Sequence, residues 1–259
     1  MSALQLSESL NDTQLQQFQD AGYLILRERV PLSYLDSIRS LSLRHLHGEV
    51  GDIEYEADLN YPGAPESLEA PGGRTVRRLR QAISRDPIFL ELLREPFLLQ
   101  PLQQLLGQHI VMPLAHHNCV MTKQPEYSSD TGWHQDTRYW SFSTPELVNA
   151  WIALGREDSE NGCLQLLPGT HRQQFSAEQL DEARFLRSDL PQNQSLLASA
   201  VRAELNPGDL LLFHARCFHS ATRNYSSECK LSLVFTFRGA KNSPIPGSRS
   251  SALPELLLS

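Results

Sequence analysis

The segment Gly132-Trp133-His134-Gln135-Asp136 sets an imidazole and a carboxylate two positions apart. On a β-strand, side chains at i and i+2 face the same side, so this spacing predicts His134 and Asp136 pointing together into a barrel. One neutral imidazole, one carboxylate and a second histidine from elsewhere form a facial triad. That donor set leaves coordination positions open for a chelating cosubstrate and O₂, which suits non-haem Fe(II). His-x-Asp alone also arises by chance in polar surface turns, so the second histidine decides its meaning.

Two candidates lie downstream, His214 and His219, in the run that begins at Gly208-Asp209. Gly-Asp is a turn signal that opens a strand. The two histidines are five positions apart. On a regular strand they face opposite sides, so one at most is a ligand, and strand geometry does not choose between them. A third need is a cation for the far carboxylate of the cosubstrate, because a buried carboxylate is costly unless paired. Lys230, eleven residues after His219, opens the run KLSLVFTF and meets that need as a point charge. Arg238 is the competitor, at the far end of the same run.

Other residues carry polar chemistry near these. Asn118 is a candidate pocket contact, and of the adjacent His116 and His117 only one is expected to face inward. Arg138 could hold an anionic substrate or lie in solvent, and Tyr139 and Trp140 could wall a pocket or pack in the core. Arg77, Arg78 and Arg80 form a basic cluster, of which Arg78 is the candidate to reach cosubstrate or an acidic substrate. His171, in Pro-Gly-Thr-His, reads as a turn-shaping residue.

The elements that must position these groups fall into two halves. Residues 7–21 read as a helix with Ser7 or Asp12 as N-cap, ended by Gly22. Tyr23–Leu26 reads as a buried strand, and Pro31 opens an amphipathic helix over about 32–46. Residues 48–75, rich in Gly, Pro, Asp and Glu, read as a long loop of the kind that forms lids. The stretch 86–106 is helical with a break at Pro96. From about residue 109 the pattern is β-like: HIVMPLAHHNCVMTK, VNAWIAL, GCLQLLP, DLLLFHARCF and KLSLVFTFR are short apolar or alternating runs bounded by turn residues. Helices first and strands afterwards predict a mainly β fold with supporting helices, an antiparallel barrel or jelly roll, and argue against βαβ units. Residues 172–200 form a polar, partly helical insertion. The expected organisation is one domain over 1–259, with helical support over about 7–106, a core over about 107–240 and an irregular tail at 241–259.

The chain has 259 residues, 40% of them hydrophobic and 20% charged, with a net charge of −7. That balance is ordinary for a soluble globular protein and opposes binding to nucleic acid. The four cysteines form no CxxC pair, so reduced thiols are expected rather than a disulfide framework. The N-terminus lacks the basic start and apolar core of a secretory signal, and no apolar stretch has the length of a membrane span. A reducing, cytoplasmic location and a small-molecule partner are the expectations.

Four segments in order, GYLILRERVP, WHQDTRYW, NAWIALGREDSENGCLQLLPGTH and PGDLLLFHARCFHSATRNYS, span about residues 22–238. Together they resemble the phytanoyl-CoA dioxygenase family of Fe(II)/2-oxoglutarate oxygenases. The resemblance implies a double-stranded β-helix (jelly-roll) core, with His134, Asp136 and His219 as metal ligands and His214 as a neighbouring strand residue. It puts the 2-oxoglutarate anchor at Lys230, where the family usually has arginine. It implies that Trp151 lines the cosubstrate pocket, with Cys119 and Thr131 at positions that can also line it. Ala221 stands where phytanoyl-CoA dioxygenase itself has a cosubstrate-binding serine. The halogenating branch has a small residue in place of the carboxylate, so Asp136 implies hydroxylation of a small molecule rather than halogenation. The rival readings are a cupin-like metal-dependent isomerase or hydrolase, and a non-catalytic binding protein on an oxygenase scaffold.

Overall fold

The structure, a computed structural model, describes residues 8–59 and 61–259. Helix α1 spans Asp12–Ala21. Its N-cap is Asn11, whose side chain accepts from Gln14 N while Gln14 Oε1 accepts from Asn11 N, a reciprocal capping box. The cap expected at Asp12 therefore falls one residue earlier, because only Asn11 has the glutamine three positions on. Ser7 lies outside the described residues. Gly22 ends the helix with φ 78°, and a Cβ there would lie 2.4 Å from His171 Nδ1. Strand β1 (Tyr23–Leu26) and helix α2 (Leu32–His47) follow as expected.

The loop expected over 48–75 holds strand β2 (Ile53–Tyr55), which pairs with β3 (Val76–Arg80) just beyond it, and β3 pairs onward with the strand Asn118–Lys123. Three arginines in Val-Arg-Arg-Leu-Arg hide the alternation that marks a strand. Helices α3 (Pro87–Arg94) and α4 (Pro96–Leu106) meet at the Pro96 break. Then come β4 (Ile110–Pro113), β5 (Asn118–Lys123), β6 (Thr131–His134), β7 (Leu147–Ala153) and β8 (Leu164–Leu166). The insertion carries α5 (Pro191–Leu197). It is followed by β9 (Val201–Arg202), β10 (Leu210–His214), β11 (His219–Ala221) and β12 (Lys230–Gly239). The tail also contains a strand, β13 (Glu255–Leu257), paired with β4.

Two sheets result. The larger runs β1-β10-β7-β12-β5-β3-β2, with β4 and β13 attached through β12; the smaller runs β6-β11-β8-β9. The pairings within both are antiparallel. The period of two sorts the large sheet's faces. Leu231, Leu233, Phe235 and Phe237 of β12, with Val148, Ala150 and Ile152 of β7, pack against Ile38, Leu92, Leu98 and Leu102 of the helices. The alternate residues Trp151, Val234, Phe213 and Cys119 face inward against Leu164, Leu166 and Ala221 of the small sheet. This is a jelly roll with helices covering one face. Three of its strands come from the N-terminal part, before the residue-107 boundary expected for the core.

Candidate metal centre

His134 ends β6 and His219 begins β11, and the two are direct partners in the antiparallel ladder. Asp136 is not on the strand. Gln135 is extended, and Asp136 then opens a 3₁₀ turn whose backbone N–H donates to Ala215 O at 3.0 Å. The turn still delivers the carboxylate to the imidazoles, because a single extended residue separates it from His134. Asp136 Oδ1 lies 3.8 Å from both His134 Nε2 and His219 Nε2, and one donor atom from each residue lies within 4.8 Å of the others.

The hydrogen bonds fix which nitrogens are free. His134 Nδ1–H donates to Gly132 O at 2.9 Å, and His219 Nδ1–H donates to Cys217 O at 3.0 Å. A carbonyl only accepts, so each Nδ1 carries the proton and each Nε2 turns a lone pair to the centre. Burial pushes both imidazoles below their ordinary pKa and keeps them neutral; for His134 the neighbouring His219 adds to this. Burial raises the Asp136 carboxyl, but His219 and His117 outweigh it and hold the group well below the usual carboxylate range. Asn149 Nδ2 donates to Asp136 Oδ2 at 2.7 Å, and Thr236 Oγ1 donates to Asn149 Oδ1 at 2.6 Å. Two neutral imidazoles and an oriented carboxylate are the donor chemistry a divalent metal of the iron type requires, so the residues fit the group.

The triad opens onto a cavity of about 460 Å³. Every residue singled out for cosubstrate or substrate lines it: Lys230, Trp151, Cys119, Thr131, Asn118, Arg138, Tyr139 and Arg78. Their commitments differ. Lys230 Nζ pairs with the buried Glu157 at 3.0 Å and lies 5.0 Å from the Trp151 ring centroid, while Trp151 Nε1 donates to the same glutamate. Asn118 gives its amide to Gln81 Oε1 and accepts from Ile83 N, so it braces the wall. Arg78 lies 3.4 Å from Glu54. Arg138 stacks over Phe185 at 3.9 Å and Tyr139 at 4.3 Å, and donates to Tyr61.

The competing candidates are elsewhere. His214 ends β10 in the other sheet, 3.2 Å from Glu146, and the turn at 215–218 separates it from His219. The chain changes sheet between them, so a comparison on one regular strand does not apply. Arg238 pairs with Glu255 of β13. His171 donates toward Gln19 O, beside the end of α1. Both His116 and His117 line the cavity, because they sit in a turn before β5 and not on a strand; His117 Nε2 is 3.3 Å from Asp136 Oδ1. The sequence reading missed Asn149, Lys123 and Glu157. For the first two a signal existed: Asn149 shares the period-two face of Trp151, and Lys123 that of Cys119. Glu157 lies in a turn and carries none.

A jelly roll with a His-x-Asp and a distant histidine converging on one cavity defines the class of non-haem, metal-dependent oxygenase folds. The family described as Phytanoyl-CoA dioxygenase (PhyH) matches residues 18–231, and the chain belongs to that family of iron- and 2-oxoglutarate-dependent oxygenases. A probable phytanoyl-CoA dioxygenase of Caenorhabditis elegans is 23% identical over 80% of this chain and 68% of its own length. An L-proline trans-4-hydroxylase of Streptomyces griseoviridis is 26% identical over 70% of this chain and 74% of its own. The chain thus spans about two thirds to three quarters of these relatives' length. Among solved structures, the epimerase SnoN with Fe³⁺ and alpha-ketoglutarate superposes with TM-score 0.74 at 20% identity, covering 94% of this chain and 90% of that one. EctD from S. alaskensis does so with TM-score 0.74 at 16% identity, covering 98% and 84%. These likenesses establish the shared fold. Among the described residues no helix is long and apolar enough to cross a membrane.

Proposed function

We propose that this protein is an Fe(II)- and 2-oxoglutarate-dependent dioxygenase that hydroxylates an unactivated C–H bond of a small organic molecule, releasing succinate and CO₂. The observation that carries it is the convergence of His134 Nε2, His219 Nε2 and an ionised Asp136 at one cavity. Iron bound there with 2-oxoglutarate and O₂ supplies the oxidising power for C–H cleavage. The chain's own task is to bind, orient and keep water out. His134, Asp136 and His219 hold the metal as ligands, and Gly132 O, Cys217 O and Asn149 aim them. Lys230 and Trp151 bind the cosubstrate, with Cys119 and Thr131 completing that wall. Arg78, Arg138, Tyr139 and Asn118 face the substrate, Asn118 from a pose held by Gln81 and Ile83. Among the described residues Arg138 and Arg249 form no ion pair, yet both flank Tyr139 at the cavity. That favours a substrate carrying negative charge. The carboxylate of Asp136 favours hydroxylation over halogenation. The four cysteines are free thiols, which fits a reducing, cytoplasmic setting.

The test is anaerobic loading with Fe(II) and 2-oxoglutarate, followed by a compound screen for O₂-dependent succinate release. The expected result is a visible chelate band that His134→Ala abolishes, and a product heavier by one oxygen. A product that has lost two hydrogens, or has unchanged mass, overturns hydroxylation while leaving the cofactors in place. Normal iron content and turnover in His134→Ala would refute the ligand assignment.

A further inference from the structure

Strands β5 and β12 run antiparallel, and their register sets Lys123 directly opposite Lys230. Both side chains line the cavity, and both residues are buried, at 6% and 5% exposure. Like charges facing each other across a sheet are destabilising, and burial sharpens the penalty. The surrounding acids do not settle the account. Lys230 has Glu157 at 3.0 Å. Arg77, on β3 beside them, has Glu56 at 3.3 Å and shares Glu54, at 3.6 Å, with Arg78 at 3.4 Å, so four cations face three carboxylates. Among the described residues Lys123 has no carboxylate partner, and its ammonium donates only to the carbonyl of Ser129 at 2.8 Å. One buried positive charge in this corner is therefore uncompensated.

We infer that Lys123 and Lys230 form a two-lysine site for the distal carboxylate of 2-oxoglutarate, with Lys123 as the member that supplies the net charge. The inference rests on the functional reading above and deepens it. Lys230 alone brings a cation whose charge Glu157 already cancels. Lys123 brings one that awaits an anion, at a residue that is only 6% exposed. Titration agrees with the geometry. Burial, then Arg77 and Lys230, pull the Lys123 ammonium down to about 7, against smaller opposing pulls from Glu56 and Asp130. An arriving carboxylate restores its ordinary preference for the charged form. Binding above pH 7 must then draw a proton from solvent, and affinity must weaken towards tenfold per pH unit above that point.

The experiment uses the iron-loaded enzyme under anaerobic conditions, with calorimetry and the chelate band as readouts. The probes are 2-oxoglutarate and 2-oxovalerate, which carries a methyl group where the distal carboxylate stands. For wild type at about pH 8, 2-oxoglutarate binding is expected to take up close to one proton, read from the dependence of binding heat on buffer ionisation. Lys123→Met and Lys123→Gln should weaken 2-oxoglutarate by roughly tenfold or more, leave 2-oxovalerate unchanged and abolish the proton uptake. Thermal melting of both variants should equal or exceed wild type, since a buried unpaired charge has gone. Unchanged 2-oxoglutarate affinity in the two folded variants overturns the role of Lys123 alone. Equal loss of both oxoacids also overturns it, because it points to a damaged pocket. No binding of either oxoacid by wild type overturns the functional reading itself.

Discussion

At the scale of single residues, the centre is governed by which atom of each side chain is already spoken for. Asp136 offers one oxygen to the imidazoles because Asn149 occupies the other, and Asn149 holds that pose because Thr236 fixes its carbonyl. Asn149 is fully buried, so nothing replaces it when it is lost. Asn149→Ala should lower iron affinity by about 10–100-fold, the usual effect of losing a partner that orients a ligand. The same change leaves a buried carboxylate oxygen without a donor and should cost about 1–3 kcal/mol in urea unfolding. Thr236→Val acts one bond further out and should show a smaller loss of metal affinity in the same titration. If Asn149→Ala bound iron as tightly as wild type, the orientation chain would be irrelevant to the centre.

At the scale of elements, the centre depends on short turns more than on long strands. Gly162 sits in the turn before β8 with φ 75°, and a Cβ there would lie 2.4 Å from Thr222 O and 2.9 Å from Lys123 Cδ. Gly162→Ala therefore meets both a strained backbone and an immovable carbonyl. It should destabilise by more than about 1 kcal/mol, read as a lower urea midpoint with an unchanged slope. It should also weaken 2-oxoglutarate binding, because Lys123 is the side chain displaced. The insertion matters similarly: Phe185 lies 5.8 Å from His134 and 5.9 Å from Tyr61, under the Arg138 guanidinium. Removing its ring in Phe185→Ala should raise the KM for substrate more than it lowers kcat, since it supports Arg138 and Tyr61, which line the cavity. These elements also mark what the sequence made legible. The runs around β7, β10 and β12 announced themselves by apolar content, and the order of helices before strands pointed to the right architecture. Strands β2 and β3 did not, because β2 is three residues long and arginines occupy the positions of β3 where alternation would be read. The His-x-Asp pair was legible as a spacing although its geometry is a strand end and a turn. The choice of His219 over His214 was not legible from spacing, because the chain crosses from one sheet to the other between them.

At the scale of the whole molecule, the candidate metal centre brings together side chains from both sheets. His134 and His219 belong to the small sheet, whereas Asn149 and Lys230 belong to the large one. Without a cation, the buried Asp136 has imidazole and amide partners only, and the two Nε2 lone pairs face each other across the centre. Without an anion, Lys123 and Lys230 face each other at the far end of the same cavity. Iron and 2-oxoglutarate should thus bind the folded state and not the unfolded chain, and stabilise the two-sheet arrangement as a unit. At a ligand concentration about a hundredfold above Kd, that linkage amounts to about 2.7 kcal/mol. For a domain of this size it should raise Tm by roughly 5–10 °C. EDTA should reverse the shift. His219→Ala should fold yet lose the iron-dependent part of the shift, because only the ligand and not the core is lost. The two ligands should also be coupled: 2-oxoglutarate without iron should raise Tm by less than half the joint amount, since it then keeps only its distal contact. A full shift with 2-oxoglutarate alone, or one that survives in His219→Ala, would mean that the oxoacid binds away from the triad.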